Sequence, residues 1–301
     1  MRFICLVFNM DLSIIIVSYN TKEFLKACIE SIYKTTKNIK FEIIVVDNAS
    51  TDDSVAETLK LKTENLKIIE NKANLGFSKA NNVGVKQANG RYILFLNSDT
   101  VVYENTLGGM VKFMDEHEDV GAATCKLIMP NGQIDDASHR GFPTPWNSFA
   151  HFSGLSKMLG KTRFFGGYNL GFKDFSKTHK IDALAGAFMM VRRKAGEDAN
   201  WWDEDYFFYG EDIEFCYMLK QAGWKIYYVP EFSILHYKGV SGGLKKVSKD
   251  ITTASKETKQ RTTKARFNAM RLFYKKHYEQ KYPWFITRLV YLGIFLKQHT
   301  S

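Results

Sequence analysis

Proline, paired cysteines and long apolar runs are scarce in this chain, and each scarcity narrows its class. All five prolines follow residue 129, so none interrupts regular helices and strands before that point. The four cysteines, Cys5, Cys28, Cys125 and Cys216, form no CxxC pair, and each lies among apolar neighbours. We therefore expect buried free thiols in a reducing compartment.

Membrane-spanning and secretory signals are also missing. No window reaches the roughly 18 uninterrupted apolar residues of a membrane span. The N-terminal segment is apolar but short, and it lacks the long apolar region and the small-residue cleavage site of a signal peptide. We therefore expect a cytoplasmic protein. No GxGxxG loop follows the first predicted strand, which disfavours a dinucleotide-dependent dehydrogenase.

Positive charge is concentrated at the C-terminal end of the chain. The net charge is +10, and residues 231–301 hold 15 Lys and Arg against 4 Asp and Glu. Of the 42 Lys and Arg and the 32 Asp and Glu in the chain, residues 1–230 hold the remaining 27 and 28, so this part is nearly neutral. No nucleic-acid recognition motif accompanies this charge, so we expect no nucleic-acid partner.

The first hundred residues alternate between apolar strands and amphipathic helices. Buried strands are predicted over 12–18, 41–46, 66–70 and 91–96, and helices begin near 21, 50 and 79. Such alternation is the signature of βαβ units, with a parallel sheet and helices on both faces. Further on, we predict a helix over 104–116, a strand over 120–127, an irregular excursion over 141–180, a buried helix over 211–222 and a strand over 225–229.

The strand over 91–96 leads directly into Asn97-Ser98-Asp99. Ligands of open α/β sheets bind beyond the carboxyl ends of the strands, so Asp99 is a candidate metal or phosphate ligand. An Asp after a strand also serves as a turn former or helix cap, and this motif alone leaves both interpretations open.

Polar residues follow all four predicted strands, and the longer motifs are EIIVVDNASTDDS, NLGFSKANNVGV, YILFLNSDT and DEDYFFYGEDIEFCYMLKQAGW. With them, residues 12–240 resemble the family-2 glycosyltransferases of the GT-A fold, nearest to the rhamnosyltransferase branch. The resemblance implies a GT-A type α/β domain over 1–240, with a mainly parallel central sheet flanked by helices. Its nucleotide-binding half would cover about 11–100 and its acceptor half 101–240, and a basic helical extension would cover 241–301.

The resemblance also implies a reaction, in which a sugar passes with inversion from a nucleotide-sugar to a hydroxyl, with Mn²⁺ or Mg²⁺ on the diphosphate. Carried over position by position, the residues that bind the nucleotide-sugar would be Ser18, Tyr19, Asn20, Asp47, Asn74, Gly76, Asn81, Asn97, Ser98 and Gly186. Asp99 and His236 match the metal positions, and Glu211 and Asp212 match the family's catalytic acidic pair, with Asp212 as the general base. Asn97 replaces the first acid of the family's DxD motif, which leaves Asp99 as its sole carboxylate ligand.

The residues themselves support these roles but leave alternatives open. Asp99 and His236 would suit a metal ion whose remaining coordination positions are taken by substrate phosphates, and the histidine favours Mn²⁺. The alternative for His236 is a histidine at a strand end that is hydrogen-bonded to backbone. Asp212 opens an apolar helix whose dipole favours a charged carboxylate, although many helices carry acids in the first turn. Among the six aromatic residues of 201–209, we expect a mixture of substrate-facing and core positions, with Trp202 or Tyr206 facing the acceptor.

The tail combines a basic stretch over 245–276 with an apolar one over 282–296. A basic helix followed by an aromatic, apolar one suits an anionic membrane surface, which would fit a lipid-linked glycan acceptor and a peripheral place on the plasma membrane. Alternatively, residues 284–296 fold back as an ordinary buried helix.

The main functional hypothesis is therefore a glycosyltransferase of polysaccharide biosynthesis, with dTDP-rhamnose as a candidate donor. A sugar-phosphate nucleotidyltransferase is the runner-up, but that class is expected to carry a Gly-rich basic loop after the first strand, where this chain has SYNTKEF. A non-catalytic carbohydrate-binding relative is the third hypothesis, and it is favoured only by Asn97 in place of an acid.

Overall fold

A computed structural model describes residues 9–61, 63, 65–244 and 250–300. They form a nine-stranded sheet with helices on both of its faces. The predictions for Cys5 and for the rest of the segment before residue 9 lie outside the described residues. Residues 245–249, the start of the predicted basic stretch, also lie outside them.

The first half of the chain builds the parallel part of the sheet. Its elements are β1 (Met10–Ser18), α1 (Lys22–Thr35), β2 (Phe41–Asp47), α2 (Ser54–Leu59), β3 (Leu66–Glu70), α3 (Phe77–Val85) and β4 (Gly90–Leu96). The strands run parallel in the order β3-β2-β1-β4. Their carboxyl ends therefore meet at one edge of the sheet, where Ser18 pairs with Asp47.

The second half adds strands of both directions. Its elements are β5 (Thr100–Val102), α4 (Thr106–Glu116), β6 (Val120–Ile128), α5 (Pro145–Phe152), α6 (Leu155–Leu159), β7 (His179–Lys180), β8 (Phe188–Arg192), α7 (Arg193–Asp198), α8 (Glu211–Gln221) and β9 (Lys225–His236). The sheet continues in the order β4-β8-β6-β9-β5, and β7 pairs with β9. Most paired residues still belong to parallel ladders, and the predicted α/β class with a mainly parallel sheet is confirmed.

Apolar side chains fill the space on each side of the sheet. Helices α1 and α4 cover one face, and α3, α7 and α8 cover the other. The β-branched strands are buried because both of their faces pack against helices. Cys28, Cys125 and Cys216 are free and buried, as predicted.

Two stretches differ from the predicted elements. The excursion over 141–180, predicted as irregular, contains α5, α6 and β7, and the Thr144 side chain caps α5 by accepting a hydrogen bond from the Asn147 amide. Strand β9 continues to His236 instead of ending at Val229. Its register against β6 shifts beyond Val229, which accommodates Pro230, a residue that sheets tolerate at bulges because it lacks an N–H.

Two helices close the chain, α9 (Lys256–His277) and α10 (Trp284–His299). Helix α9 packs against α8, where the rings of Tyr217 and Phe273 lie 5.7 Å apart. Helix α10 packs on α9 through one face only, and none of its residues is buried. Residues 284–296 therefore fold back onto the rest of the chain, as the alternative held, but the expectation that this helix is buried is wrong. Within the described residues, no helix is both long and apolar enough to cross a membrane.

Candidate active site

A cleft of about 1170 Å³ opens beyond the carboxyl ends of the parallel strands. Its polar end holds Asp99, His236, Glu211 and Asp212, all predicted as site residues. Its apolar end is formed by side chains of α5, α9 and α10. The C-terminal helices thus supply one wall of the cleft.

Strand pairing brings Asp99 and His236 together. The short strand β5 runs antiparallel to the end of β9, with Thr100 opposite His236. The Tyr237 amide donates to the backbone oxygen of Asp99 at 3.0 Å. As a result, the Nε2 atom of His236 lies 3.5 Å from the Oδ1 atom of Asp99, and both side chains are buried.

Asp135 lies on the other side of the imidazole. Its Oδ2 atom is 3.1 Å from the Nδ1 atom of His236, and its Oδ1 atom accepts a hydrogen bond from the Lys238 ammonium at 2.5 Å. A carboxylate against Nδ1 favours a proton on that nitrogen, so Nε2 is the nitrogen that would give up its proton to bind a metal ion. Asp135 was not among the predicted site residues.

The charges of this cluster support one another. Burial acts to lower the pKa of His236, but the Asp99 and Asp135 carboxylates outweigh it and raise that pKa to about 9. Burial also acts to raise the pKa of Asp99, yet His236 and the amides of Gly239 and Val240 hold it below its ordinary value. The same balance, with His236 and Lys238 as partners, holds the pKa of Asp135 well below its usual range.

The Asp99–His236 pair has the donor set for a divalent ion. The Nε2 atom of His236 is buried without a hydrogen-bond partner among the described residues, and it faces a carboxylate oxygen. No group of three or more His, Cys, Asp or Glu in the described part of the chain is placed to hold a metal. Two protein ligands suffice for Mn²⁺ or Mg²⁺ when substrate phosphates and water complete the coordination, so these residues fit the ion.

Asp212 lies in the first turn of α8 and is paired with a partly exposed arginine. The guanidinium of Arg140 donates to Oδ2 of Asp212 at 2.5 Å, and the Ile213 amide donates to Oδ1 at 2.8 Å. Burial acts to lower the pKa of Arg140, but the Asp212 carboxylate outweighs it and raises that pKa. The carboxylate is therefore held in one orientation at the cleft.

Glu211, beside Asp212, has a different environment. Burial raises its pKa, and the neighbouring Asp212 carboxylate adds to the rise, to about 8. One of its oxygens is buried without a hydrogen-bond partner among the described residues. The two adjacent acids thus differ in their partners, and the surroundings of Glu211 favour its neutral form.

Glycine is required immediately before this pair. Gly210, the N-cap of α8, has φ +82°, and a Cβ atom there would lie 3.0 Å from the Cβ of Ala269 in α9. Tyr209 before it also has a positive φ, of 68°. The backbone turns sharply here so that the first turn of α8 enters the cleft beside α9.

Several residues predicted to bind the nucleotide-sugar line the cleft. They are Tyr19, Asn74, Gly76, Asn97, Ser98 and Gly186. A Cβ atom on Gly76 would lie 2.5 Å from the backbone oxygen of Phe207, so this glycine lets the loop before α3 approach the aromatic segment over 201–209. Gly186 lies two residues before β8, and a Cβ atom there would lie 3.1 Å from the ring of Phe77.

The other four predicted nucleotide-sugar residues do not reach the cleft wall. Ser18 is buried and bonded to Thr21, and the Nδ2 atom of Asn81 donates to the Phe77 carbonyl within α3. Asn20 accepts a hydrogen bond from the Thr51 amide. Asn20 and Asn81 thus hold backbone groups in place, and Ser18 holds the Thr21 hydroxyl.

Asp47 is the fourth of them, at the end of β2. Its Oδ2 atom accepts a hydrogen bond from the Ser50 amide at 2.8 Å. Its Oδ1 atom is buried and has no hydrogen-bond partner among the described residues. This acceptor stays available to a ligand at the carboxyl end of β2.

The prediction that Trp202 or Tyr206 faces the acceptor is wrong, since each is only 2% exposed. The ring of Trp202 packs against Phe95 at 4.8 Å in the core, and the Tyr206 hydroxyl donates to Glu214 at 2.8 Å. The aromatic residues of this segment that line the cleft are Phe207, Phe208 and Tyr209.

Asp135 and Arg140 are the site residues that sequence reasoning missed. Both follow β6 in the segment NGQIDDASHR, beyond the carboxyl end of a buried strand. That position was the available signal, since polar residues after the other parallel strands had marked the site.

Comparisons with known proteins agree with this geometry. The family model described as Glycosyl transferase family 2 matches residues 13–198, more than half of the chain. Rhamnosyltransferase WbbL of Escherichia coli (strain K12) is 30% identical over 241 residues, which cover 74% of this chain and 82% of WbbL.

Two solved structures share the fold at low sequence identity. S. aureus TarS 1–349 in complex with UDP superposes with a TM-score of 0.55 at 20% identity, over 87% of this chain and 65% of that one. GalNAc-T7 with UDP, GalNAc and Mn²⁺ gives 0.57 at 20% identity, over 75% of this chain and 44% of that one. This chain therefore spans less than two thirds of either structure. The family match ends before Asp212 and His236 and does not include either residue.

Proposed function

This chain belongs to glycosyl transferase family 2 and is a glycosyltransferase, and from that premise we propose that it transfers a sugar with inversion from a nucleotide-sugar to a hydroxyl of a glycan or lipid-linked glycan. The observation that carries the proposal is one cleft with the Asp99–His236 pair and Asp212 both in its wall. The Asp99–His236 pair could hold a metal ion on the leaving diphosphate, and Asp212 could accept the proton of the attacking hydroxyl.

Asp212 is the proposed general base. As the acceptor oxygen attacks C1 of the sugar, its proton passes to a carboxylate oxygen of Asp212, and the bond from C1 to the diphosphate oxygen breaks. Attack on the side opposite the leaving group inverts C1. The Arg140 guanidinium and the Ile213 amide fix the carboxylate, and each oxygen keeps a lone pair for the proton.

Asp99 and His236 are the proposed metal ligands, with Mn²⁺ favoured over Mg²⁺ by the imidazole. A divalent ion held there would neutralise the charge that builds on the leaving diphosphate without a proton transfer. Asp135 holds the imidazole with Nε2 toward Asp99. Asn97 lines the same end of the cleft as a neutral neighbour in place of a second acid.

The donor site is proposed to include Tyr19, Asp47, Asn74 and Gly76 at the ends of the parallel strands, with Asn20, Ser18 and Asn81 supporting their backbone. The similarity to WbbL makes dTDP-rhamnose a candidate donor. The basic C-terminal region suggests that the enzyme works peripherally on the inner face of the plasma membrane, in polysaccharide biosynthesis of the cell envelope.

A donor screen tests the proposal. The full chain is incubated with UDP-, dTDP- and GDP-sugars and with Mn²⁺, Mg²⁺ or EDTA, and release of the nucleoside diphosphate is followed. We expect release from one donor class, stimulated by the metal and abolished by EDTA, with an inverted C1 in the product. Formation of a nucleotide-sugar from a sugar phosphate and a nucleoside triphosphate would instead indicate the nucleotidyltransferase. Nucleotide binding without release from any donor would contradict the proposal.

A further inference from the structure

Exposed large apolar side chains are confined almost entirely to two segments beside the cleft. In the described part of the chain, all but Leu59, Tyr103 and Ile251 belong to them. Six lie on α10: Trp284, Phe285, Leu289, Leu292, Phe295 and Leu296. Six lie between α5 and the loop after α6: Trp146, Phe149, Phe152, Met158, Leu159 and Phe164. We call these twelve residues the apolar platform.

The two parts of the platform adjoin each other at the cleft. The Lys297 ammonium at the end of α10 lies 5.9 Å from the ring centroid of Phe152 in α5. Residues of both segments, such as Phe149 and Leu289, line the apolar end of the cleft. The platform therefore borders the cleft and is a single surface.

The outer face of α10 has no partner within the described chain. Its inner face packs on α9, where the Tyr274 hydroxyl bonds to Thr287 at 3.0 Å and the Arg271 guanidinium to Gln298 at 2.6 Å. The outer face carries Leu292, 51% exposed, and Phe295, 52% exposed. An exposed apolar patch that is larger than the patches of typical monomeric proteins marks an interaction site.

The charge of the platform identifies its partner. The sequence has no Asp or Glu between Asp136 and Asp174, and none after Glu279. Its exposed charges are cations: Lys157, Lys161, Arg163, Arg288 and Lys297. A second copy of the chain, docked symmetrically, would bring these cations together without a compensating acid in the patch. Anionic headgroups compensate them, and Trp, Phe and Leu suit the layer beneath the headgroups.

We propose that the apolar platform docks on the surface of an anionic lipid bilayer. Trp284, Phe285, Leu292 and Phe295 enter the headgroup and upper acyl region, and the cations remain at headgroup level on their flexible stems. The cleft then opens at the membrane surface. This inference rests on the peripheral membrane location proposed above and deepens it by naming the surface that docks. Docking requires neither donor nor turnover, so it is tested separately from the transfer reaction.

Vesicle flotation of the full chain tests the proposal. The triple variant Phe285→Ser, Leu292→Ser, Phe295→Ser removes three exposed side chains that do not line the cleft, and Leu59→Ser, 61% exposed on α2, is the matched control. We expect wild type and Leu59→Ser to float with phosphatidylglycerol-containing vesicles, and the triple variant to bind roughly tenfold more weakly or worse because the buried apolar area is lost.

A charge variant completes the test. Arg288→Gln with Lys297→Gln is expected to weaken binding to anionic vesicles, reduce its salt dependence and leave the weak binding to phosphatidylcholine vesicles unchanged. Circular dichroism should show native thermal transitions for all variants. Failure of wild type to bind anionic vesicles, or equal binding by the triple variant, would overturn the proposal. A dimer by light scattering that the triple variant converts to monomer would instead assign the platform to a second copy.

Discussion

Asp135 is the residue on which the proposed metal site most depends without itself being a ligand. Its carboxylate lies against Nδ1 of His236 and also accepts from Lys238. The opposite nitrogen, Nε2, is left facing Asp99. Partners of this kind usually orient a ligating histidine, and their loss weakens metal binding.

Asp135→Asn is therefore expected to lower Mn²⁺ affinity by roughly 10- to 100-fold. The Lys238 ammonium needs an oxygen on its side of the new amide, so the amide nitrogen would face Nδ1 of His236. That arrangement favours the tautomer with its proton on Nε2, and a protonated Nε2 cannot bind a metal. Calorimetric titration of Mn²⁺ in the presence of the active nucleoside diphosphate measures the effect. Asp136→Asn, the exposed neighbouring acid, is the matched control and should bind normally. Unchanged affinity in Asp135→Asn would remove Asp135 from the site.

At the residue scale, motifs in the sequence identified some of the site residues. Site residues whose roles depend on hydrogen-bond partners far along the chain were missed. Asp99, Asp212 and His236 follow from the family resemblance, and all three line the cleft. Asp135 and Arg140 have roles set by partners 101 and 72 residues away, which no local pattern reveals. The error at Trp202 has the same origin, because an aromatic cluster does not show which rings face the core.

At the scale of elements, the sequence predicted long apolar strands well and short strands poorly. Strands β1, β2, β3 and β4 occur where the apolar runs lie, within two residues at each end. The three-residue strand β5 was not predicted, because its identity depends on pairing with β9. That pairing places Asp99 beside His236, so the site depends on the element least readable in the sequence.

Helix α9 has more contacts with the catalytic part than an appended extension would have. The Nε2 atom of its His277 lies 2.7 Å from the Oε2 atom of the buried Glu214 in α8. Its Lys276 forms an ion pair with Asp203. The rings of Phe273 and Tyr217 lie in one buried cluster. The boundary predicted at about residue 240 stays a prediction, and these contacts indicate that the two parts unfold together.

Phe273→Ala is expected to lower the free energy of unfolding of the whole chain by about 3–5 kcal/mol, because it empties a buried aromatic site. Phe285→Ala, on the exposed face of α10, should change it by less than about 0.5 kcal/mol. Urea denaturation followed by far-ultraviolet circular dichroism measures both. Two separate transitions, with the larger one unaffected by Phe273→Ala, would show instead that the C-terminal helices fold independently.

At the scale of the molecule, the cleft is built from both ends of the chain. The parallel half supplies Tyr19, Asn74 and Asn97, and the C-terminal helices supply the apolar wall. The α/β class and the position of the polar site could be predicted, because strand alternation and strand ends are local features. The apolar wall could not, because the sequence does not show which face of α10 packs on α9.

The turnover of Asp212→Asn tests the central claim most directly. With the donor found in the screen, we expect kcat to fall by roughly 10²- to 10⁴-fold because the base is lost, while calorimetry shows unchanged binding of the nucleoside diphosphate with Mn²⁺. Glu211→Gln is the matched control, because burial raises the pKa of Glu211 and the Asp212 carboxylate adds to the rise. A neutral amide at Glu211 therefore changes the charge of the site less than loss of the Asp212 carboxylate does, and more turnover should remain than in Asp212→Asn. Near-normal turnover by a folded Asp212→Asn would contradict the account.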